Sequence, residues 1–442
     1  MLQTAHSGTE PQCQTASKKR TQIAPSNAAS RTPPLPGPTA KPRLAYLTNQ
    51  YPAVSHTFIF HEVQELRSLG FEILTASVNA CDRSGAELPP REQIEKSATF
   101  YVKPSGISGA IGAVVFSLIR CPGAALRGLL FTLGLGGTPV RWFYFVEALI
   151  LGRWLKNNRL SHLHVHFGTA AASVGMIAAR AFEIPLSLTI HGPDEFYEVS
   201  RNYLPQKIET ARFVCCIGNF ARSQLMKICP IHQWNKLKLS PLGVDPVHFA
   251  PLNHRQNPEI FEVLCVGRLV PAKGQHILLS AIKLLVSEGR AVRLRLVGDG
   301  PDRKELEQRL AKEGLRDSVV LVGAMNQDRI LEFLQTADAV VLASFAEGIP
   351  VALMEAMAME IPCISTSVAG IPELISSGIT GLLVAPSDDG QLAAAIKRLM
   401  DDPHLRQRLG ASARAFVVEN FNLRKNVQKL AEIYECHIPV SS

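Results

Sequence analysis

Short apolar, strand-like runs alternate with helical segments along this chain, and the pattern stops once near residue 250 and begins again. In the first half, Arg43–Thr48, Phe71–Val78, His162–Phe167, Leu186–His191, Arg212–Ile217 and Leu237–Leu242 read as strands. Thr57–Leu69, Ala170–Phe182 and Ala221–Ile228 carry helical periodicity between them. Residues 250–260 are polar and contain Pro251 and Pro258, as a linker should. The second half continues with strands Phe261–Val266, Val292–Val297, Ser318–Val322, Ala339–Ser344, Cys363–Ser367 and Gly381–Val384. Its helices are Gly274–Ser287, Asp302–Lys312, Gln327–Thr336, Val351–Met359 and Gln391–Met400. Strands that alternate with helices form a parallel sheet covered on both faces. The expected fold class is therefore α/β, with two domains whose parallel sheets face each other across a cleft. Ligands of such open sheets bind beyond the carboxyl ends of the strands, so both sets of loops can line that cleft. The expected spans are a tail at 1–42, a first domain at 43–249, the linker at 250–260 and a second domain at 261–420. A C-terminal helix within 421–442 is expected to cross back to the first domain.

A chain of 442 residues, 46% hydrophobic and 19% charged, can bury two cores of ordinary size. Its nine cysteines are scattered without metal-type spacing, which fits buried thiols in a reducing compartment better than a disulfide framework. The first forty residues have no apolar core segment and are rich in Pro, Ser, Thr and Gln; they read as a disordered tail on a cytoplasmic enzyme. The net charge of +8 is unevenly placed. Lys18, Lys19, Arg20, Arg31 and Lys41 crowd the tail, and Lys103, Arg120, Arg127, Arg141, Arg153, Lys156 and Arg159 crowd residues 101–160. Trp142, Phe143, Tyr144, Phe145 and Trp154 lie among the second set, where no uncharged run is long enough to span a bilayer. Two readings stand side by side: a basic aromatic surface resting on anionic lipid at the inner face of the plasma membrane, or ordinary domain helices with solvated arginines. No nucleic-acid-binding motif accompanies the charge, so nucleic acid is not an expected partner.

The chemistry concentrates after Ala339–Ser344, in the run from Glu347 to Glu355. Pro350 suits the first turn of a helix, where its missing N–H would be unpaired anyway. Glu347, Gly348, Ile349 and Val351 then surround the free amides of a helix start, a ready site for phosphate. The two carboxylates stand on the order of 10 Å apart at ~1.5 Å per helical residue. That is wider than the ~5 Å of a retaining glycosidase pair, and it fits two ends of one sugar nucleotide. Gly267, Arg268 and Lys273 follow the first strand of the second half. Arg268 offers a planar fork for phosphate oxygens and Lys273 a point charge near a helix start, so that together they can neutralise a diphosphate leaving group. Val297-Gly298-Asp299-Gly300-Pro301 is half of a dinucleotide fingerprint, which Pro301 and Asp302 break. Its glycines read as turn geometry and close approach to a ligand. The amides of Val368–Glu373 either face the same cleft or form a plain turn.

In the first half, His191 ends a strand within reach of the cleft, and Asp194 is placed to fix its orientation or tautomer. His162, His164 and His166 alternate along one strand and share a face. They could form a metal site, but with no Asp, Glu or Cys partner nearby they read as packed sheet side chains, with His166 reaching the cleft edge, and no metal is expected. The sequence holds no Asp-x-Asp pair to seat a divalent ion against a diphosphate, which leaves Arg268 and Lys273 as the electrophiles.

Taken jointly, these motifs resemble the retaining, Leloir-type glycosyltransferases of the two-Rossmann-domain GT-B architecture, family 4, over roughly residues 43–436. The first half, through Ser55-His56-Thr57, His164–Gly168 and His191–Phe196, is similar to a subgroup associated with bacterial exopolysaccharide assembly, including colanic-acid-type enzymes. The resemblance implies that Glu347 binds the donor sugar hydroxyls, that Glu355 binds the ribose, and that Arg268 and Lys273 hold the diphosphate with help from the amides of Gly348–Val351. It places His191 beside donor and acceptor, and Ser55, His56, Thr57, His166 and Asp194 along the acceptor side. It implies a nucleotide-sugar donor, a glycan or polyprenyl-diphosphate-linked acceptor, no cofactor, and front-face attack in which the leaving phosphate takes the acceptor proton. This chain departs from the family at Asn49-Gln50-Tyr51-Pro52, where a Gly-Gly loop is common, and at His56, where the subgroup often has Glu. An epimerase or glucan synthase on the same fold, and a two-lobed sugar-binding protein without chemistry, are the competing readings.

Overall fold

The computed structural model describes residues 41–83, 88–136, 139–251 and 258–439. Residues 1–40 of the expected tail, and 252–257 of the expected linker, lie outside them. The first sheet comprises β1 (Arg43–Gln50), β2 (Glu72–Asn79), β3 (Phe100–Tyr101), β4 (His162–His166), β5 (Leu186–Ile190), β6 (Phe213–Cys216) and β7 (Leu237–Leu239). Its order is β3-β2-β1-β4-β5-β6-β7, and every pairing is parallel. The second sheet comprises β8 (Phe261–Val266), β9 (Val292–Val297), β10 (Val319–Gly323), β11 (Ala339–Leu342), β12 (Cys363–Thr366) and β13 (Leu382–Val384), in the order β10-β9-β8-β11-β12-β13. It too is parallel throughout. In each sheet the strand order reverses beside its first strand, between β1 and β4 and between β8 and β11. Those reversals open the crevices in which doubly wound sheets hold ligands.

Burial explains which runs became which strands. Strands β4, β5, β6, β11 and β12 are buried at every residue, as central parallel strands covered on both faces must be. Nearer the edge, β9 reads Val-Arg-Leu-Arg-Leu-Val, with both arginines only half-buried. The helix Ala170–Phe182 buries Ala, Gly and Val against the first sheet, whose core also takes in Leu149, Leu151 and Leu155 of the helix Arg141–Asn157.

The C-terminal helix Leu423–His437 starts at Asn422, whose side chain accepts from the Lys425 amide, the usual way an orphan helix donor is satisfied. It lays Val427, Leu430, Ala431 and Tyr434 onto Leu44, Tyr46, Phe213 and Cys215 of the first sheet. At about 1.5–3 kcal/mol for each large side chain so buried, this return strap is a main element of the first lobe. A parallel bridge between Val244 and Asn422 ties the two chain crossings together.

The basic region folds as the helices Gly106–Arg120, Pro122–Gly134 and Arg141–Asn157. Among the described residues no single helix is long and apolar enough to cross a membrane, and the pair Lys103–Arg120 and Pro122–Gly134 is bent by 115° at its break. All eight described cysteines are free, and five of them are buried.

Candidate active site

The chain leaves β11 through Ser344, Glu347 and Gly348 and enters the helix Val351–Ala358. Pro350 is not in the first turn, as expected, but is the N-cap, with φ −72° and ψ 118°. Its ring fixes a helical φ while ψ stays extended, so the proline closes the loop just outside the helix. The amides of Val351 and Ala352 have no carbonyl one turn back, whereas that of Leu353 donates to the Pro350 carbonyl. Gly348 sits where the two lobes touch: a Cβ there would lie 1.9 Å from the His191 carbonyl oxygen. No other residue allows the two backbones to meet at that distance.

Glu347 is buried, 7% exposed. Its Oε1 accepts from Lys273 Nζ at 2.6 Å and from the Ser344 hydroxyl at 2.7 Å. Ser344 is in turn held by the Thr366 hydroxyl, which donates to its carbonyl. Lys273 ends a short turn, Pro271–Lys273, and the Phe345 amide donates to the Ala272 carbonyl at 2.8 Å, so the loops after β8 and β11 are stitched together. The loop after β9 joins them at Gly298, where φ is 146° and a Cβ would lie 1.9 Å from the Gly267 carbonyl oxygen. Three loops distant in sequence thus form one floor. Arg268 extends from it towards the first lobe, where its Nη2 lies 3.7 Å from Asp194 Oδ2. Its charge is also felt by His56, whose pKa is depressed to about 4 by burial first and by Arg268 second.

His191 closes β5 and is 6% exposed. Asp194 does not hold its ring. The ring partner is His166, with Nδ1 of His166 3.0 Å from Nε2 of His191, and Phe58 and Phe167 pack on the ring. Asp194 starts the short helix Asp194–Tyr197 and faces Arg268, whereas the next residue turns inward. That residue, Glu195, is buried and accepts from the amides of Gly168, His191 and Gly192. Burial raises its carboxyl to about 7, against the lowering by those three donors and by Lys207. Lys207, fully buried, donates to the carbonyls of Gly168 and Thr169, and burial lowers it to about 7. This pair pins the ends of β4 and β5 that carry His166 and His191. An acid four residues beyond a strand-end histidine was its only trace in the sequence.

His162, His164 and His166 are all fully buried. His162 and His164 hydrogen-bond the Ser187 hydroxyl, and the other nitrogen of His164 meets Thr189. The expectation that no carboxylate accompanies them is corrected by Glu62, whose Oε1 is 3.2 Å from His166 Nε2. Glu62, His164 and His166 bring potential ligand atoms within 4.8 Å of one another. Both nitrogens of His164 already have protein partners, so sheet packing accounts for that residue. Of the residues expected on the acceptor side, Ser55 is exposed, Thr57 starts the helix Thr57–Ser68, and His56 packs on Phe167.

Glu355 is not on a solvated helix face: it is 4% exposed, and burial raises its carboxyl to about 7. Gln327 donates to it at 2.6 Å and also contacts His61 of the first lobe at 2.7 Å. A second bridge between the lobes runs from Glu373, which accepts at 2.6 Å from the amides of Asn219 and Phe220 at the start of the helix Asn219–Ile228. The segment Val368–Glu373 therefore contributes a side chain to the lobe contact.

Two family models match the chain, one described as Glycosyltransferase Family 4 over residues 123–248 and one as Glycosyl transferases group 1 over residues 248–416. The chain is 27% identical over 406 residues to the amylovoran biosynthesis glycosyltransferase AmsK of Erwinia amylovora, covering 89% of this chain and 99% of that protein. It is 31% identical over 287 residues to the putative colanic acid biosynthesis glycosyltransferase WcaL of Salmonella typhimurium, covering 61% of this chain and 69% of the relative. The crystal structure of HepE from Anabaena, in complex with UDP and glucose, matches with a TM-score of 0.68 at 18% identity, over 89% of this chain and 100% of that one. At that identity the likeness concerns the fold.

Proposed function

The chain belongs to glycosyltransferase family 4 and is an enzyme of sugar transfer from a nucleotide sugar, and from that premise we propose its substrates and the work of its residues. It moves a hexosyl group to a lipid-linked oligosaccharide in the assembly of a bacterial exopolysaccharide. The support is twofold: the relatives named for amylovoran and colanic acid, and the arrangement of the loops. One observation carries the reading. The Lys273–Glu347 pair, 2.6 Å across, stands beside a helix start whose preceding glycine touches the His191 carbonyl of the other lobe.

In this reading Arg268, Lys273 and the amides of Gly348, Ile349 and Val351 hold the diphosphate, where negative charge grows as the glycosidic bond breaks. Glu347 binds sugar hydroxyls, fixed for that task by Ser344 and Lys273. Glu355 binds the ribose in place of Gln327, and its burial makes each of those hydrogen bonds stronger than it would be in water. The acceptor hydroxyl attacks from the face the leaving phosphate vacates and gives that phosphate its proton, so retention needs neither a separate base nor a metal.

The acceptor side is basic and apolar. Ile107, Ile111, Leu118, Ile119, Leu130 and Phe143 are more than half exposed on the three helices that carry Arg120, Arg127, Arg141 and Arg153. Apolar side chains interleaved with cations suit an anionic membrane surface, with the enzyme peripheral on its cytoplasmic side. Charge reversal at Arg141, Arg153 and Lys156 should release the protein from anionic vesicles, and unchanged co-sedimentation would dismiss the membrane.

A thermal-shift screen of UDP- and GDP-sugars, followed by transfer assays on the stabilising donor, tests the substrate. Stabilisation by one nucleotide series with slow donor hydrolysis is expected. Free isomerised sugar nucleotide without acceptor would favour an epimerase instead.

A further inference from the structure

A buried line of polar side chains runs from the C-terminal helix to His191. The Tyr434 and Tyr46 hydroxyls are 2.5 Å apart, and Tyr46 donates to Glu62 Oε1 at 3.0 Å. Glu62 Oε1 is 3.2 Å from His166 Nε2, a close polar contact without the alignment of a full hydrogen bond. His166 Nδ1 meets His191 Nε2 at 3.0 Å. Tyr46, Glu62, His166, His191 and Tyr434 are each 8% exposed or less. At the end of the line, His191 Nδ1 is buried with no hydrogen-bond partner among the described residues. Nitrogens buried in this way are costly unless something pairs with them.

We propose that Glu62, acting through His166, fixes the tautomer of His191 so that Nδ1 is a bare acceptor for a sugar hydroxyl. This rests on the reading above, in which His191 adjoins the donor sugar. A carboxylate only accepts, and a neutral imidazole has one N–H and one bare nitrogen. Facing Glu62 with a lone pair would set two negative ends 3.2 Å apart, so His166 turns its N–H to the carboxylate. Its Nδ1 is then bare and accepts from His191 Nε2–H, which leaves His191 bare at Nδ1. Tyr46 remains a donor at one end, because burial and then Glu62 raise its hydroxyl well above the usual tyrosine range. Burial, His166 and His56 all lower His191, which keeps it neutral. Glu62 and His166 are positioning residues: neither needs to touch sugar. The sequence carried a sign of this. Glu62 lies three residues after Ile59 and four before Leu66, on the stripe of Thr57–Ser68 that the helix buries.

The test is nitrogen NMR of full-length enzyme labelled with ¹⁵N-histidine, assigned by comparison with His191→Gln. In the wild type His191 should show an unprotonated Nδ1 and a protonated Nε2, with no substrate present. Glu62→Leu, which leaves His166 no acceptor, should release both rings from that tautomer and lower kcat about tenfold, the scale of one lost hydrogen bond, while its thermal unfolding stays cooperative. A wild-type His191 carrying its proton on Nδ1 overturns the proposal, and so does a Glu62→Leu enzyme whose tautomer is unchanged, or whose kcat is unchanged although its tautomer has shifted. A correct tautomer in an enzyme that transfers no sugar would count against the donor reading and leave the relay standing.

Discussion

Replacing Lys273 by Ala separates two things its ammonium does. Nζ lies 2.6 Å from Glu347 Oε1, and the side chains are 21% and 7% exposed. The gross attraction is about 6 kcal/mol at that distance with an effective dielectric constant of about 20. Desolvation offsets much of it, but removing one partner of a buried pair still costs about 3–5 kcal/mol, because the other charge is left behind. Water reaches Lys273 in part, and Ser344 continues to donate to Glu347, so about 2 kcal/mol of stability should be lost. The catalytic loss is separate: a cation facing a developing diphosphate charge is worth about 10²–10³ in kcat. The two are resolved by a cycle of Lys273→Ala, Glu347→Gln and the double variant, with urea unfolding and transfer rates measured on each. Stability should recover in the double variant, where no unpaired carboxylate remains, and turnover should not. If turnover returned along with stability, or if Lys273→Ala alone turned over at near wild-type rate, the ammonium would be structural and the leaving-group role would be lost.

Glu355→Gln should raise the donor KM about tenfold with a smaller change in kcat. The folded carboxyl titrates near 7, above its ordinary value, so the folded state holds the extra proton from the ordinary carboxylate range up to about 7. That contribution to stability is full at low pH and is lost as pH rises through 7. Donor affinity should run the other way, rising across the same window as the carboxylate forms, and calorimetry of the nucleoside diphosphate at pH 6 and 8 should show a slope that Glu355→Gln abolishes. Gly348→Ala should fold, since the clash is between lobes, yet lose most of its turnover, because its Cβ would stand 1.9 Å from the His191 carbonyl oxygen. Normal kinetics there would mean the contact opens freely in the working enzyme. Glu195→Gln should cost several kcal/mol in urea unfolding by leaving the Lys207 charge buried and unpaired; a loss below 1 kcal/mol would show that Lys207 is neutral in the fold.

Patterns that repeat along the chain were legible in the sequence, and pairings across it were not. The strands of the second sheet, from Phe261–Val266 to Leu382–Val384, could be read because each is a short apolar run closed by turn residues. The edge strand Phe100–Tyr101 pairs through only two residues, too few for any periodicity, and was missed. That Arg268, Lys273 and Glu347 stand in loops at strand ends could be read, because each loop follows an apolar run. Sequence could not supply the direct Lys273–Glu347 contact, which bridges 74 positions. It also misjudged the support of His191: Asp194 is nearest along the chain, but the turn of one short helix sends it to Arg268 and sends Glu195 beneath the strand ends. Gln327 on His61 and Glu373 on the Asn219 amide depend on how two lobes meet, a matter on which local pattern is silent.

A crystal structure of the enzyme with UDP or GDP bound, whichever stabilises it, would weigh most. The diphosphate should lie within hydrogen-bond distance of Arg268, Lys273 and the amides at the start of Val351–Ala358, with the ribose hydroxyls on Glu355 and Gln327 displaced. A nucleotide seated elsewhere, with the Lys273–Glu347 and Gln327–Glu355 pairs undisturbed, would contradict it.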